Sequence, residues 1–340
     1  MNRCWMALES QKRLHPQSDL HFDCPFTTMP VETPGGNTIQ KAWHRLITYP
    51  LFVKQLRSGT VHLLDHSFAE LLHHVRPGIR KIVTVHDVIP LIEPNALNAT
   101  QLGRFRRRVD CLRLADEILC VSEFTRQTLL QDLNLDAERV AVLPNGVDLP
   151  QTDGAPQPNP FLSLPGINLL MVGSALRRKN LRALPALLHE LQSLGHTATV
   201  VKIGQPLPEE IKRDVLQRVG AERLLELGLV SDAVLASAYQ HADLLFFPST
   251  LEGFGLPVLE AMSHRCPVVC SNAASIPEVA GDAALLFGPH DAKTAAGHCI
   301  RLKLDPQLSA DLRQRGHARA SQYTWKIHWE KLCSIYRSNS

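Results

Sequence analysis

The sequence predicts an α/β protein of two doubly wound domains. Three observations lead there. Short apolar runs, many of them β-branched, recur along the chain between segments of helix length. The runs are nearly continuous rather than alternating, as in parallel strands covered on both faces. Between the two sets of runs lies LPQTDGAPQPNPFLSLPG, Leu149 to Gly166, rich in proline and polar residues and without periodicity, which reads as a linker.

In chain order, the first half offers strands at LHFDC (20–24), VHLLD (61–65), KIVTVH (81–86), EILCVS (117–122) and VAVLP (140–144). The second half offers INLLMVG (167–173), TATVVKIG (197–204), LELGLV (225–230), ADLLFFPS (242–249), PVVCS (267–271) and AALLFG (283–288). The domains are accordingly placed at 1–150 and 166–320. Residues 321–340 form a last helix that is expected to pack back toward the first domain. In LGRFRRRVDCLRLAD, Leu102, Phe105, Val109 and Leu112 fall on one helical stripe that faces a core. Arg104, Arg106, Arg107, Arg108 and Arg113 lie elsewhere on the wheel. They read first as a solvated basic face, and second as a patch for anionic lipid or a phosphorylated acceptor.

Bulk properties narrow the class. In a chain of 340 residues, 44% hydrophobic and 20% charged residues supply a sizeable core, which excludes a disordered chain. A net charge of +3 does not argue for nucleic acid. No apolar run reaches the length of a membrane span, and MNRCWMALESQKRLHPQ lacks the apolar core of a secretory signal. The expected location is cytoplasmic, with peripheral contact at the inner face of the plasma membrane as the extension that the basic patch invites. The eight cysteines form no CxxC pair, so buried reduced thiols are expected rather than zinc or redox chemistry. His62 and His66 read as neighbours on one strand face, in packing or capping roles.

The stretch FFPSTLEGFGLPVLEA, Phe246 to Ala261, carries the chemistry. A strand ends, a glycine turn follows, and a helix starts with Pro257 at its first position. Ligands of doubly wound sheets bind at the carboxyl ends of strands. Gly253 and Gly255 allow close backbone approach, and the helix start offers free N–H groups to anionic oxygens. Glu260, placed in the first helical turn, can accept from a vicinal diol such as ribose. Glu252 can do the same for a hexose, at about 1.5–3 kcal/mol for each charge-assisted bond. The bland alternatives are a helix-start charge for Glu260 and a solvated loop residue for Glu252.

PSTLEGFGLPVLEAMSHRCPVV resembles the E-x7-E signature of family 4 retaining glycosyltransferases. MVGSALRRKNL (171–181), GLVSDAVLASAYQHADLLFFPS (228–249), SIPEVAGDAALLF (275–287), VTVHDVIPL (83–91) and VSEFTRQTLL with VAVLPNGVD (121–148) extend the likeness over nearly the whole chain. The resemblance implies the GT-B fold, two Rossmann-like domains with a cleft between them. It also implies transfer of a mannose- or glucose-type hexose from a GDP- or UDP-linked donor to a saccharide or lipid-linked acceptor. By the same likeness Glu260 holds the ribose. Glu252, with Gly253, Phe254, Gly255 and Leu256, holds the donor sugar. Gly173 and Ser174 form the phosphate loop, Val230 lies near the base, Lys179 neutralises the diphosphate, and His86 faces the reacting sugar. Retention is implied without a carboxylate base.

Negative charge on a leaving diphosphate needs cations. No Asp-x-Asp occurs, so no metal is expected, and Lys179 with Arg177 or Arg178 takes that part. Ser174 stands where many members have arginine, and Arg265 where a glycine is usual before PVV. The first strand and glycine-rich loop of the acceptor-side domain have no counterpart at the start of the sequence. That gap motivates a non-catalytic, nucleotide-sugar-binding relic as one rival. A nucleotide-sugar 2-epimerase is another, disfavoured by the glutamate pair. No G-x-G-x-x-G follows a strand, which disfavours a dinucleotide oxidoreductase.

Overall fold

The computed structural model describes residues 6–11, 43–150, 159–161 and 165–338. The expected strand at 20–24 and most of the 149–166 linker lie outside them. The chain divides into two compact units. One comprises residues 1–121, 125–143 and 328–340, the other residues 122–124 and 144–327.

In unit one, four parallel strands run β1 (Thr60–Leu63), β2 (Arg80–Val85), β3 (Glu117–Cys120) and β4 (Val140–Val142), side by side in chain order. Each starts within one residue of its expected position and stops one to two residues earlier. β3 is buried except at Glu117, which is why its sequence is a continuous apolar run. Helix α1 (Tyr49–Gln55) precedes this sheet, α2 (Ile89–Ile92) follows β2, α3 (Ala99–Asp110) precedes β3, and α4 (Glu123–Leu133) follows it. A reciprocal capping box starts α3. Asn98 Oδ1 accepts from Gln101 N at 2.9 Å, and Gln101 Oε1 accepts from Asn98 N at 3.1 Å. Val109 and Leu112 are buried in the core, and Phe105 packs against it. Arg104, Arg106, Arg107 and Arg113 are exposed, while Arg108 is half-buried near Glu70.

Unit two holds six parallel strands: β5 (Ile167–Gly173), β6 (Ala198–Gly204), β7 (Leu224–Gly228), β8 (Leu244–Phe247), β9 (Val268–Ser271) and β10 (Leu285–Phe287). Their order is β10-β9-β8-β5-β6-β7. After β5 the chain adds strands on one side, and from β8 onward on the other. The β5/β8 junction is therefore the topological switch point, where a doubly wound sheet opens a crevice at its carboxyl edge. Around the sheet stand α5 (Ala183–Ser193), α6 (Glu209–Val219), α7 (Asp232–His241), α8 (Leu256–Ser263), α9 (Ile276–Ala280), α10 (Ala292–Leu304) and α11 (Pro306–Ser321). Leu184, Leu187, Leu188 and Leu191 of α5 follow the helical period and pack into the core with Leu169 and Phe246.

The closing helix α12 (Trp325–Arg337) starts in unit two, and its part from His328 onward belongs to unit one. There Tyr336 Oη meets His62 Nδ1 at 2.5 Å, and Arg80 donates to the carbonyls of Ile335 and Tyr336.

His62 and His66 do not share a strand. β1 ends at Leu63, and Asp65 accepts from Ser67 N at 2.7 Å, opening a 3-10 stretch from His66 to His74. His62 is bound to Tyr336 and, at 2.8 Å, to Thr84 Oγ1. Burial, then His328 and His86, push its pKa down to about 3, so the ring is neutral.

Six cysteines, Cys111, Cys120, Cys266, Cys270, Cys299 and Cys333, are free and buried. Burial raises the Cys266 thiol to about 12 and lifts Cys270 and Cys299 as well. Among the described residues no helix is long and apolar enough to cross a membrane.

Candidate functional site

The loops after β5 and β8 leave the sheet side by side at the switch point. Each has a local reason for its path. Gly173 ends β5 at φ 127°, and Asn180 ends the short turn Arg177–Lys179 in the left-handed region at φ 50°. Asn180 Nδ2 donates to the carbonyls of Pro248 (3.1 Å) and Pro289 (2.7 Å). Thr250 N reaches Arg178 O at 2.8 Å. Backbone bonds and one amide side chain thus stitch the two loops together.

This stitching brings three charged groups into contact. Lys179 Nζ lies 2.6 Å from Glu252 Oε1, and Arg178 Nη1 lies 2.7 Å from Glu252 Oε2. Arg178 also reaches Leu251 O at 3.2 Å, and Lys179 stands 5.2 Å from the centre of the Phe247 ring. Glu252 is only 7% exposed, which overturns the solvated-loop reading of this residue. Two cations meet one carboxylate, so the cluster carries a surplus positive charge. A carboxylate offers about four lone-pair sites, so Glu252 retains acceptor capacity beyond its two partners. Between Arg177 and Arg178, Arg178 points into the cluster and Arg177 is exposed.

Glycines and serines hold the turn after Glu252. Ser275 Oγ reaches the carbonyls of Glu252 (3.0 Å) and Phe254 (2.8 Å), and Ser122 Oγ donates to Gly253 O at 2.7 Å. Gly255 adopts φ 113° with open space where a side chain would stand, immediately before α8. No side chain caps that helix; in its first turn Pro257 has no N–H, and Val258 N donates to Gly255 O at 3.0 Å.

Two sequence expectations need correction. α8 starts at Leu256, so Pro257 is its second residue and Glu260 lies in the second turn, not the first. The dipole therefore explains little of Glu260, because its effect falls off within the first turn. Instead Tyr239 Oη donates to Glu260 Oε2 at 3.1 Å, and the Tyr239 ring stacks on His264 at 5.6 Å. Leu256 is half-buried, Phe254 is buried against Tyr323, and Ser174 and Val230 are half-buried in the loops after β5 and β7. His86 belongs to unit one, where its Nε2 meets Leu64 O at 2.8 Å.

Sequence reasoning missed Asn180, Ser122, Ser275, Tyr239 and Glu278. Glu278 accepts from Glu123 N at 2.8 and 2.9 Å, through its two oxygens, and from Phe124 N at 3.3 Å, capping α4. A carboxylate at that helix start satisfies orphan donors. Glu278 lies far from α4 in sequence, so no local pattern could reveal the pair.

A six-stranded doubly wound sheet with charged loops at its switch point, in a chain with a second parallel-sheet unit, is the architecture of the GT-B class of glycosyltransferases. Comparison with known proteins agrees. The family model described as Glycosyl transferases group 1 matches residues 164–319, and the one described as Glycosyltransferase Family 4 matches residues 25–151. The chain belongs to these family 4-type glycosyltransferases. O-antigen chain mannosyltransferase B of Escherichia coli is 29% identical over 76% of this chain and 70% of its own length. The serotype-specific mannosyltransferase WbdA of Escherichia coli is 27% identical over 72% of this chain, which spans about a third (32%) of that protein. Among solved structures, Anabaena HepE in complex with UDP and glucose superposes with a TM-score of 0.71 at 17% identity, covering 98% of this chain and 96% of that one. The likeness to HepE is one of fold.

Proposed function

We propose that the chain is a hexosyltransferase, with mannose as the leading sugar, that draws on a GDP- or UDP-linked donor held by unit two. The acceptor is a saccharide or a lipid-linked one, and the product belongs to a cell-surface polysaccharide. The single observation that carries the donor reading is the Glu252–Lys179–Arg178 cluster at the switch point of a doubly wound sheet. The mannosyltransferase names of the sequence relatives support the sugar, and the nucleotide in the HepE complex supports the donor class.

The chemistry follows from the cluster. Cleavage of the glycosyl–phosphate bond leaves negative charge on the diphosphate. The surplus charge of Lys179 and Arg178 is pre-placed to meet it. Glu252 fixes both cations and accepts from sugar hydroxyls with its remaining lone pairs. Glu260, steadied by Tyr239, accepts from the ribose diol. Transfer proceeds with retention and without a metal, the leaving phosphate taking the acceptor proton. The exposed arginines of α3 fit contact with anionic lipid or a phosphorylated acceptor at the inner face of the plasma membrane.

The test is calorimetric titration of the chain with GDP, UDP and ADP, followed by a transfer assay with the matching sugar donor. Binding of one diphosphate, lost in Glu260→Ala, supports the donor site and names the nucleotide. Diphosphate release only in the presence of acceptor separates transfer from epimerisation. A folded chain that binds none of the three sinks the reading.

A further inference from the structure

β6 contains one charged residue in an otherwise apolar run, Lys202. It is 2% exposed. Its Nζ donates to Gly173 O at 2.6 Å and to Ile203 O at 3.0 Å, both at the carboxyl edge of the sheet. Among the described residues no carboxylate forms an ion pair with it. Glu226 on the neighbouring β7 is engaged instead by Lys212 of α6 at 2.7 Å. Glu226 attracts Lys202 from the neighbouring strand without a direct ion pair, so the buried charge still costs stability, and an apolar side chain of the same length would fill the space.

The position explains why a cation is kept there. Gly173 is the last residue before the loop that carries Arg178 and Lys179. Lys202 Nζ sits on its carbonyl, while Lys179 Nζ lies 3.8 Å from where a Cβ of Gly173 would stand. Two ammonium groups therefore straddle one glycine. Gly204 permits the approach, because a Cβ there would lie 2.5 Å from Gly173 O. Gln205 completes the brace, its N donating to Gly173 O at 3.2 Å and its Oε1 accepting from Ala175 N at 2.8 Å. Lys179, Arg178 and Lys202 outnumber the carboxylate of Glu252, leaving a shortfall of negative charge that matches a diphosphate.

We propose that Lys202 is a positioning residue of the donor site, a buried cation that braces the Gly173–Ala175 loop and adds a fixed positive charge behind the diphosphate subsite. The inference rests on the donor reading above. Burial pulls the Lys202 pKa down to about 8, Glu226 pushes it back, and Lys179 lowers it further. The charged groups around it are Lys179, Arg178 and Glu252 on the loops of the switch point, Glu226 on β7 and Lys212 on α6.

The experiment titrates the full chain and Lys202→Met with GDP, UDP and ADP, and with the corresponding nucleosides, from pH 6.5 to 9.5. The expected result is a loss of about tenfold in diphosphate affinity in the variant, with nucleoside affinity kept. Wild-type diphosphate affinity should also weaken as pH rises through about 8, and this step should vanish in Lys202→Met. Equal diphosphate affinity and equal pH profiles in the two proteins overturn the inference and leave the donor reading standing. Should Lys202→Met fail to fold, the wild-type profile and that of Lys202→Gln decide, and a wild type without the step overturns the inference. A wild-type chain that binds no diphosphate removes the donor reading, and this inference with it.

Discussion

A basic side chain stands near the carboxyl edge of each sheet, His62 in unit one and Lys202 in unit two, and the two are treated differently. Burial depresses both, His62 to about 3 and Lys202 to about 8. At neutral pH the imidazole has given up its charge and the ammonium has kept it. The partners account for the contrast. His62 meets two hydroxyls, Tyr336 Oη and Thr84 Oγ1, which can donate or accept as a neutral ring requires. Lys202 meets two carbonyls, which only accept. A buried charge is retained in the unit whose loops carry Lys179, Arg178 and Glu252, and dispensed with in the other.

The largest effect should come from breaking the charged edge. Lys179→Ala or Glu252→Ala should lower transfer by about 10²-fold or more, by analogy with loss of one pre-placed charge-stabilising group. Circular dichroism should show the fold retained. Activity near wild type in both variants would refute the assigned roles.

pH comes next and separates the two buried bases. The folded pKa of His62 lies below its unfolded value near 6.5. Between about 6.5 and 3 the unfolded chain therefore binds a proton that the folded chain does not. Stability should fall on acidification by about 1.4 kcal/mol per pH unit across that window. For Lys202 the same sign applies between about 8 and 10.5, so this group should make the protein more stable as pH rises there. Urea unfolding against pH, repeated on His62→Phe and Lys202→Met, should show a shallower acid slope in the first and a reduced alkaline gain in the second. An unchanged acid slope in His62→Phe would show that the ring is not buried as described.

Tyr336→Phe should cost about 1–3 kcal/mol, because it leaves His62 Nδ1 buried without its partner. The change should appear in the denaturation midpoint, with nucleotide binding by unit two unaltered. A smaller effect outside the candidate site offers a control. Arg265 sits at φ 56°, the left-handed region that favours glycine. Arg265→Gly should raise stability by less than about 1 kcal/mol and leave transfer unchanged. A marked loss of activity would mean that the arginine itself contributes to the site.

Sequence reading succeeded where one physical rule dominates. Strands buried on both faces must be apolar throughout, so β5 emerged at Ile167–Gly173 with no error and the other described strands within two residues at each end. The glycine turn and the helix after it were equally legible, because positive φ and helix starts have local signatures. Contacts between distant segments were not. Nothing in RRKN says that Arg178 rather than Arg177 turns inward, since the choice depends on the loop after β8. His66 was misplaced because the Asp65 cap competes with strand continuation, and the apolar pattern alone does not register that competition. Lys202 does leave a trace in the sequence, a lone cation inside the apolar run TVVKIG.

One glycine outside the candidate site sets a practical limit. Val147 bridges to Thr324, and a Cβ on Gly146 would lie 2.5 Å from the Trp325 ring and 2.6 Å from its backbone. For anyone wishing to graft a tag, a reporter domain or new termini into this chain, that segment is closed to insertion. Gly195, with open space around it in the turn between α5 and β6, is the place to cut.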